Sequence, residues 1–203
     1  MHSGKNAIAL IINFEGWDVP WEWPGGSSGV TIPYGYDLGY EPFEKDWAGL
    51  LAGRDYSRLA KVVGLKGRAA RDVTPSLHGI HVSRDEANHV FDAITLPRYE
   101  LLVASTFPGS EKLPPDAFGA LVSLVYNRGA GMKDRPGCIS RAEMRDIRDL
   151  LNGMEKPTSG FLRKLAELVR VQARYWPEHG RESDSDLYHR RLDEGALIES
   201  CIS

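Results

Sequence analysis

Glu15 stands at the centre of the segment "NFEGW", while Thr31 and Asp37 lie six residues apart in "SGVTIPYGYDLG", residues 28 to 39. A carboxyl, a hydroxyl and a second carboxyl are the groups that glycosidic hydrolysis needs. One acid protonates the leaving oxygen, and a second polar group stabilises charge or directs water at the sugar carbon. Glu15 follows an apolar run and neighbours Phe14 and Trp17. A helix C-terminus and apolar surroundings both disfavour an anion, which suits a proton donor. Asp37 sits in the tight segment Gly-Tyr-Asp-Leu-Gly, where backbone geometry can hold it, and the Thr31 hydroxyl can hold a water. A plainer reading makes Glu15 a surface acid at a helix end, Asp37 a turn former and Thr31 a β-former. Spacing alone favours the plainer reading.

The elements that must position these residues follow from periodicity. "KNAIALIINF", residues 5 to 14, places Ile8, Ile11, Ile12 and Phe14 near one face of a short helix that Gly16 can stop. Residues 17 to 39 are rich in glycine, proline and aromatics, which predicts loops and a hairpin with "VTIPYGY" extended. From about residue 43 the pattern is helical, first in "FEKDWAGLLAG" and "YSRLAKVVG". Ser83 and Glu86 form a capping-box pattern opening a helix to about 106, which Pro97 should kink. "PPDAFGALVSLVYNRG" is apolar nearly all round and predicts a central buried helix. Ser140 and Glu143 repeat the cap pattern, and "FLRKLAELVRVQARYW" and "LYHRRLDEGALIESC" predict the last two helices. The fold class is α+β, mostly helical, with one small β-region near the front.

Composition narrows the function classes. The chain has 203 residues, 42% of them hydrophobic, and a formal net charge of −3. It is long enough to bury a core without metal or disulfide support. No basic excess points to nucleic acid, and no stretch approaches the roughly 20 apolar residues of a membrane span. Cys138 and Cys201 are too few and too separated for a zinc ribbon or redox pair, though they could pair in an oxidising compartment. His78, His81 and His89 fit no zinc motif, and Ser76 with His78 lacks an acid partner for serine-hydrolase chemistry.

"FEG" at a helix end, then "GVTI..GYDLG", then "ALVSLVYNRGAG" resemble the phage-type lysozyme superfamily. Within it the resemblance is strongest to the muramidase domain of pesticin-like bacteriocins, whose active segment reads Gly-Val-Thr-Ile-x-x-Gly-aromatic-Asp-Leu-Gly. "HVSRDEANHVF" and "LYHRRLDEGALI" resemble later segments more loosely. The resemblance implies a catalytic triad of Glu15, Thr31 and Asp37. Phage lysozymes usually place their aspartate between the Glu and the Thr, which makes Asp18 the rival second carboxylate. Asp37 is preferred, because Asp18 follows the helix too closely to face Glu15 across a cleft.

The loop "WDVPWEWPGGSSG" has no aligned counterpart, and Trp17, Trp21 and Trp23 fall within seven residues of it. Tryptophan faces suit the apolar faces of sugars, and they equally suit a small core under a loop. Trp17, Trp21 and Tyr36 are expected substrate contacts, and the resemblance implies Asn127 as a further sugar contact and Arg190 and Arg191 as support for Glu15.

The resemblance implies a single lysozyme-like domain over 1–203, with a small β-containing lobe at about 13–75 and a helical lobe at about 76–203 on which the N-terminal helix packs. It implies a monomeric muramidase that cleaves the β-1,4 bond between N-acetylmuramic acid and N-acetylglucosamine with inversion, needing no metal or cofactor. Its partners would be peptidoglycan strands and, for a toxin, a cognate periplasmic immunity protein; no nucleic acid or membrane span is expected. It would act in the periplasm or cell wall of a target bacterium, delivered by a secretion apparatus, a fused domain or a holin, since no signal peptide is visible. The alternatives are a phage endolysin with the same chemistry and a noncatalytic glycan-binding module with the same fold.

Overall fold

The computed structural model describes residues 2–134, 140–174 and 185–202. Cys138 and Trp176 lie outside them, and so does any pairing of Cys138 with Cys201. The architecture is α+β: mostly helical, with one two-stranded antiparallel sheet. The chain forms two compact units, Glu15–Leu96 and a second made of Met1–Phe14 with Pro97–Ser203.

The second unit is built around α7 (Pro115–Arg128), in which every residue from Ala117 to Val125 is buried. The N-terminal helix α1 (Lys5–Glu15) packs on it through a close approach. A Cβ at Gly119 would collide with the Ala7 Cβ, so only glycine lets the two backbones come this near. Asp116 then accepts from the Ala7 N–H at 3.2 Å and the Asn6 side chain at 2.8 Å, satisfying donors at the start of α1. Buried Glu100, on α6 (Leu96–Thr106), accepts from the Ser3 N–H at 2.6 Å and ties down the chain before the helix. Helices α8 (Ala142–Leu151), α9 (Ser159–Val171) and α10 (Ser185–Ser200) belong to this unit, with α10 packed against both α9 and α7.

The unit Glu15–Leu96 carries the sheet and four short helices. Strands β1 (Thr31–Ile32) and β2 (Tyr36–Asp37) form a hairpin. After it come α2 (Phe43–Asp46), α3 (Gly53–Ala60), α4 (Arg68–Val73) and α5 (Arg84–Val90). Under the hairpin Tyr36 meets Trp47 edge-on at 5.7 Å, and Phe43 stacks on Tyr56 at 5.2 Å. The Ser83–Glu86 capping box forms with both reciprocal bonds. The irregularity expected at Pro97 is taken up just before it, in a π-helical turn at Phe91–Thr95. Pro97 follows directly within the same continuous helical run as α6 begins. The Ser140–Glu143 cap pattern is not used as a box: Glu143 is buried, and the Ser140 hydroxyl accepts from the Ala142 N–H at 3.1 Å.

Candidate functional site

Within the Glu15–Leu96 unit, the hairpin aligns Thr31 with Asp37 as direct Cα partners. The Leu38 N–H bonds the Val30 carbonyl at 2.9 Å. Thr31 and Asp37 therefore occupy the adjacent non-hydrogen-bonded pair, where facing side chains stand closest. Asp37 is fastened by backbone donors. The Gly29 N–H donates to both its oxygens at 3.0 Å, and the Gly39 N–H to Oδ1 at 2.7 Å. A Cβ at Gly29 would collide with Asp37 Oδ1, so glycine is what lets the carboxylate lie against that backbone. Thr31 is 5% exposed, and its buried hydroxyl has no hydrogen-bond partner among the described residues.

Tyr36 is a correction to the expected set of substrate contacts. It neighbours Asp37 in a strand, so its side chain leaves the opposite face, paired with Ile32. There it is 3% exposed, and its hydroxyl donates to buried Asp46 at 2.8 Å. It is a core residue bracing the hairpin.

The hairpin tip carries Tyr34 at φ 47°, the one non-glycine residue with positive φ among the described residues. That conformation is costly for an aromatic residue and must be held by its surroundings. Asp18 Oδ2 accepts from the next amide, Gly35 N–H, at 2.9 Å. The Tyr34 hydroxyl donates to Asn88 Oδ1 at 2.8 Å, and its ring meets Trp17 and Phe91 edge-on at 5.7 and 5.5 Å. Asp18 thus ties the tryptophan loop to the hairpin. Burial pushes its carboxyl above the ordinary aspartate range, the Gly35 N–H opposes this, and the Glu15 charge adds to the rise. Glu15 is the last residue of α1 and half-buried.

Trp17, Asp18, Trp21, Pro33, His81 and Arg84 are among the residues lining a cavity of about 320 Å³. Trp17 is 38% exposed and carries the Arg84 guanidinium 4.9 Å from its ring centre; Trp21 packs on His78 at 5.0 Å. Trp23 is used locally, its indole N–H donating to the Ser28 carbonyl at 3.0 Å. Sequence reasoning missed His81 and Arg84. The capping box at Ser83 marks where α5 starts, yet nothing in the sequence brings residues 80 to 84 against residues 17 to 21.

Arg190, Arg191 and Asn127 belong to the other unit. Arg190 and Arg191 are each 2% exposed and meet Glu194 Oε1 at 3.4 and 3.0 Å. The Ser123 hydroxyl donates to the same oxygen at 2.6 Å and accepts from Arg190 Nε at 3.1 Å. Complete burial raises the Glu194 carboxyl, while Arg191, Arg190 and Ser123 oppose that rise. Arg190 also lies 5.6 Å from the centre of the Phe14 ring, and Arg191 donates to Asn127 Oδ1 at 3.3 Å. Asn127 itself is exposed. The late Arg-Arg-x-x-Glu segment thus takes part in a buried ionic cluster with Ser123.

Among the described residues no three His, Cys, Asp or Glu side chains converge to hold a metal, and no helix is long and apolar enough to cross a membrane. Comparison of the chain with protein-family models, curated proteins and solved structures finds no match.

Proposed function

We propose that this chain is a lysozyme-like muramidase that hydrolyses the β-1,4 bond between N-acetylmuramic acid and N-acetylglucosamine in peptidoglycan. The observation that carries the reading is the hairpin pairing of Thr31 with Asp37. It sets a backbone-fastened carboxylate opposite a hydroxyl that has no hydrogen-bond partner among the described residues. A buried hydroxyl without a partner costs about 1–3 kcal/mol, and a role in holding a water accounts for keeping it. In this reading Glu15 protonates the leaving glycosidic oxygen, Asp37 stabilises the developing positive charge or directs water, and Thr31 orients that water. The resemblance in "NFEGW" and "GVTIPYGYDLG" supplies the substrate class.

Digestion of purified peptidoglycan, followed by borohydride reduction and mass analysis of the fragments, tests the reading. Reducing-end muramic acid supports it, whereas freed stem peptides or anhydro-muramic ends overturn it. Glu15→Gln should abolish release while the fold is kept. Asp37→Asn compared with Asp18→Asn identifies the second carboxylate, because Asp18 also lies within the electrostatic reach of Glu15.

The setting proposed is an antibacterial toxin or secreted effector, with a cognate periplasmic immunity protein as partner; a phage endolysin is the alternative. A neighbouring reading frame for a small secreted protein supports the first, and a holin frame the second. A noncatalytic glycan-binding module is favoured by one observation only: the tryptophan-lined cavity needs neither Glu15 nor Thr31 to hold a sugar.

A further inference from the structure

Residues 61–71 read "KVVGLKGRAAR" and hold Lys61, Lys66, Arg68 and Arg71 without one aspartate or glutamate, in a chain whose formal net charge is −3. All four side chains are exposed. So local an excess of one sign repels itself and draws partners of the opposite sign. The charge is not cancelled inside the molecule. Arg68 and Arg71 share a single carboxylate, Asp72, at 3.6 and 3.2 Å. Lys66 sets its ammonium 3.6 Å from the centre of the Tyr40 ring, which orients the charge without neutralising it. Tyr40 is 59% exposed, and its hydroxyl donates to the Ser27 carbonyl at 3.1 Å, so the ring under Lys66 is itself held in place.

The backbone between α3 and α4 decides where this basic strip stands. The Gly64 N–H donates to the Leu38 carbonyl at 3.0 Å, and the Gly67 N–H to the Ser28 carbonyl at 2.9 Å. A Cβ at Gly39 would lie 2.9 Å from the Leu65 carbonyl oxygen and 2.9 Å from Asp37 Oδ1. Residues 64–67 are therefore fastened to both ends of the hairpin segment, beside the Gly29 and Gly39 amides that hold the Asp37 carboxylate. The strip and the candidate carboxylate are built on adjoining backbone.

Charge and place together select the partner. Four single cations spread over eleven residues suit a polymer with repeated single negative charges better than one compact ion. Peptidoglycan is such a polymer, because its peptide stems carry free carboxylates along the glycan strand. We propose that residues 61–71 dock the stem-peptide carboxylates of peptidoglycan and so hold the strand alongside the Asp37 hairpin. The stems as the source of the carboxylates rest on the muramidase reading; the negative charge of the partner rests on the strip.

The test is fluorescence anisotropy of labelled, soluble glycan strands with uncrosslinked stems, titrated with the Glu15→Gln chain so that the strands stay intact. Thr31→Val serves as a second background. The same strands are titrated again after carbodiimide and ammonia have converted their carboxyls to amides. Adding Lys61→Gln with Lys66→Gln should weaken binding of the untreated strands about fivefold at low salt, the scale of two exposed ion pairs. The difference should vanish near 1 M salt, where the screening length is about 3 Å. Amidated strands should bind weakly and equally to both chains. Lys164→Gln, which removes an exposed cation from α9, should change nothing. In the active chain the double substitution should raise KM and leave kcat unchanged. Equal affinity before and after amidation overturns the proposal, and so does a loss that Lys164→Gln reproduces. A double variant that binds strands as its parent does overturns it too, the result expected if the strip faces an acidic protein instead. Cleavage by the wild-type chain is scored separately. Carboxylate-dependent binding without cleavage leaves the strip standing and removes the muramidase reading, whereas cleavage with charge-indifferent binding does the reverse.

Discussion

Thr31 and Asp37 face each other across the non-hydrogen-bonded position of a two-residue-per-strand hairpin. So short a sheet has little stability of its own, and the molecule supplies the rest from outside the ladder. The Asp37 carboxylate gathers the Gly29 and Gly39 amides below the pair. The Asp18 carboxylate holds the Gly35 amide above it. Tyr36 braces the opposite face through Asp46 and Trp47. One carboxylate from β2 and one from the tryptophan loop therefore replace the ladder bonds that longer strands would have had.

Thr31→Val keeps the shape of the side chain and removes the unsatisfied hydroxyl. Thermal unfolding should show the variant as stable as wild type or more so, by up to about 1 kcal/mol. Peptidoglycan hydrolysis should fall by about 100-fold or more if the hydroxyl orients water. A stable variant with full activity would remove Thr31 from the mechanism.

Gly29→Ala places a methyl group against Asp37 Oδ1 and the Gly39 amide. The hairpin must shift or the carboxylate must leave its donors, at a cost of about 1–3 kcal/mol. Urea unfolding should record that loss, and activity should fall beyond what the lost folded fraction explains, because Asp37 is then misplaced.

Asp18 binds its proton more tightly in the folded chain than in the unfolded one, chiefly because it is buried. Its contribution to stability is fully present below the unfolded value and is lost as pH rises through the folded one. Asp18→Asn cannot titrate. Urea midpoints measured from about pH 3 to pH 7 should therefore move in the variant's favour relative to wild type as the pH rises. Parallel curves would show that the Asp18 proton is not linked to folding.

Glu194→Leu leaves the Arg190 and Arg191 guanidiniums buried without their shared carboxylate and strips Ser123 of its acceptor. Truncating one partner of a buried ionic network costs about 3–5 kcal/mol. The variant should lose stability by this amount or fail to accumulate. It should be read against circular dichroism before any assay.

Much of the helical body was legible from local pattern. The Ser83–Glu86 box is a three-residue relationship and formed as read. The near-continuous apolar run of α7 announced its burial. The same reasoning misplaced Tyr36, although strand alternation alone forbids it from sharing a face with Asp37. It also took Ser140 and Glu143 for a box, when a buried carboxylate at Glu143 and the hydroxyl bond to Ala142 give that helix start a different form.

The sequence by itself determined the main helices, a hairpin region within residues 17 to 39 and the clustering of tryptophans in one loop, because each is a matter of short-range periodicity or turn chemistry. The segment read as extended, residues 30 to 36, instead turns back on itself at residues 33 to 35. Only the tertiary structure decided that Asp18 clasps Gly35, that Ser123 joins Arg190 and Glu194 in a buried cluster, and that His81 and Arg84 line one cavity with Trp17 and Trp21. Each of these joins residues far apart along the chain or in separate loops. Such pairings are fixed by how loops close and faces bury, which no local pattern encodes.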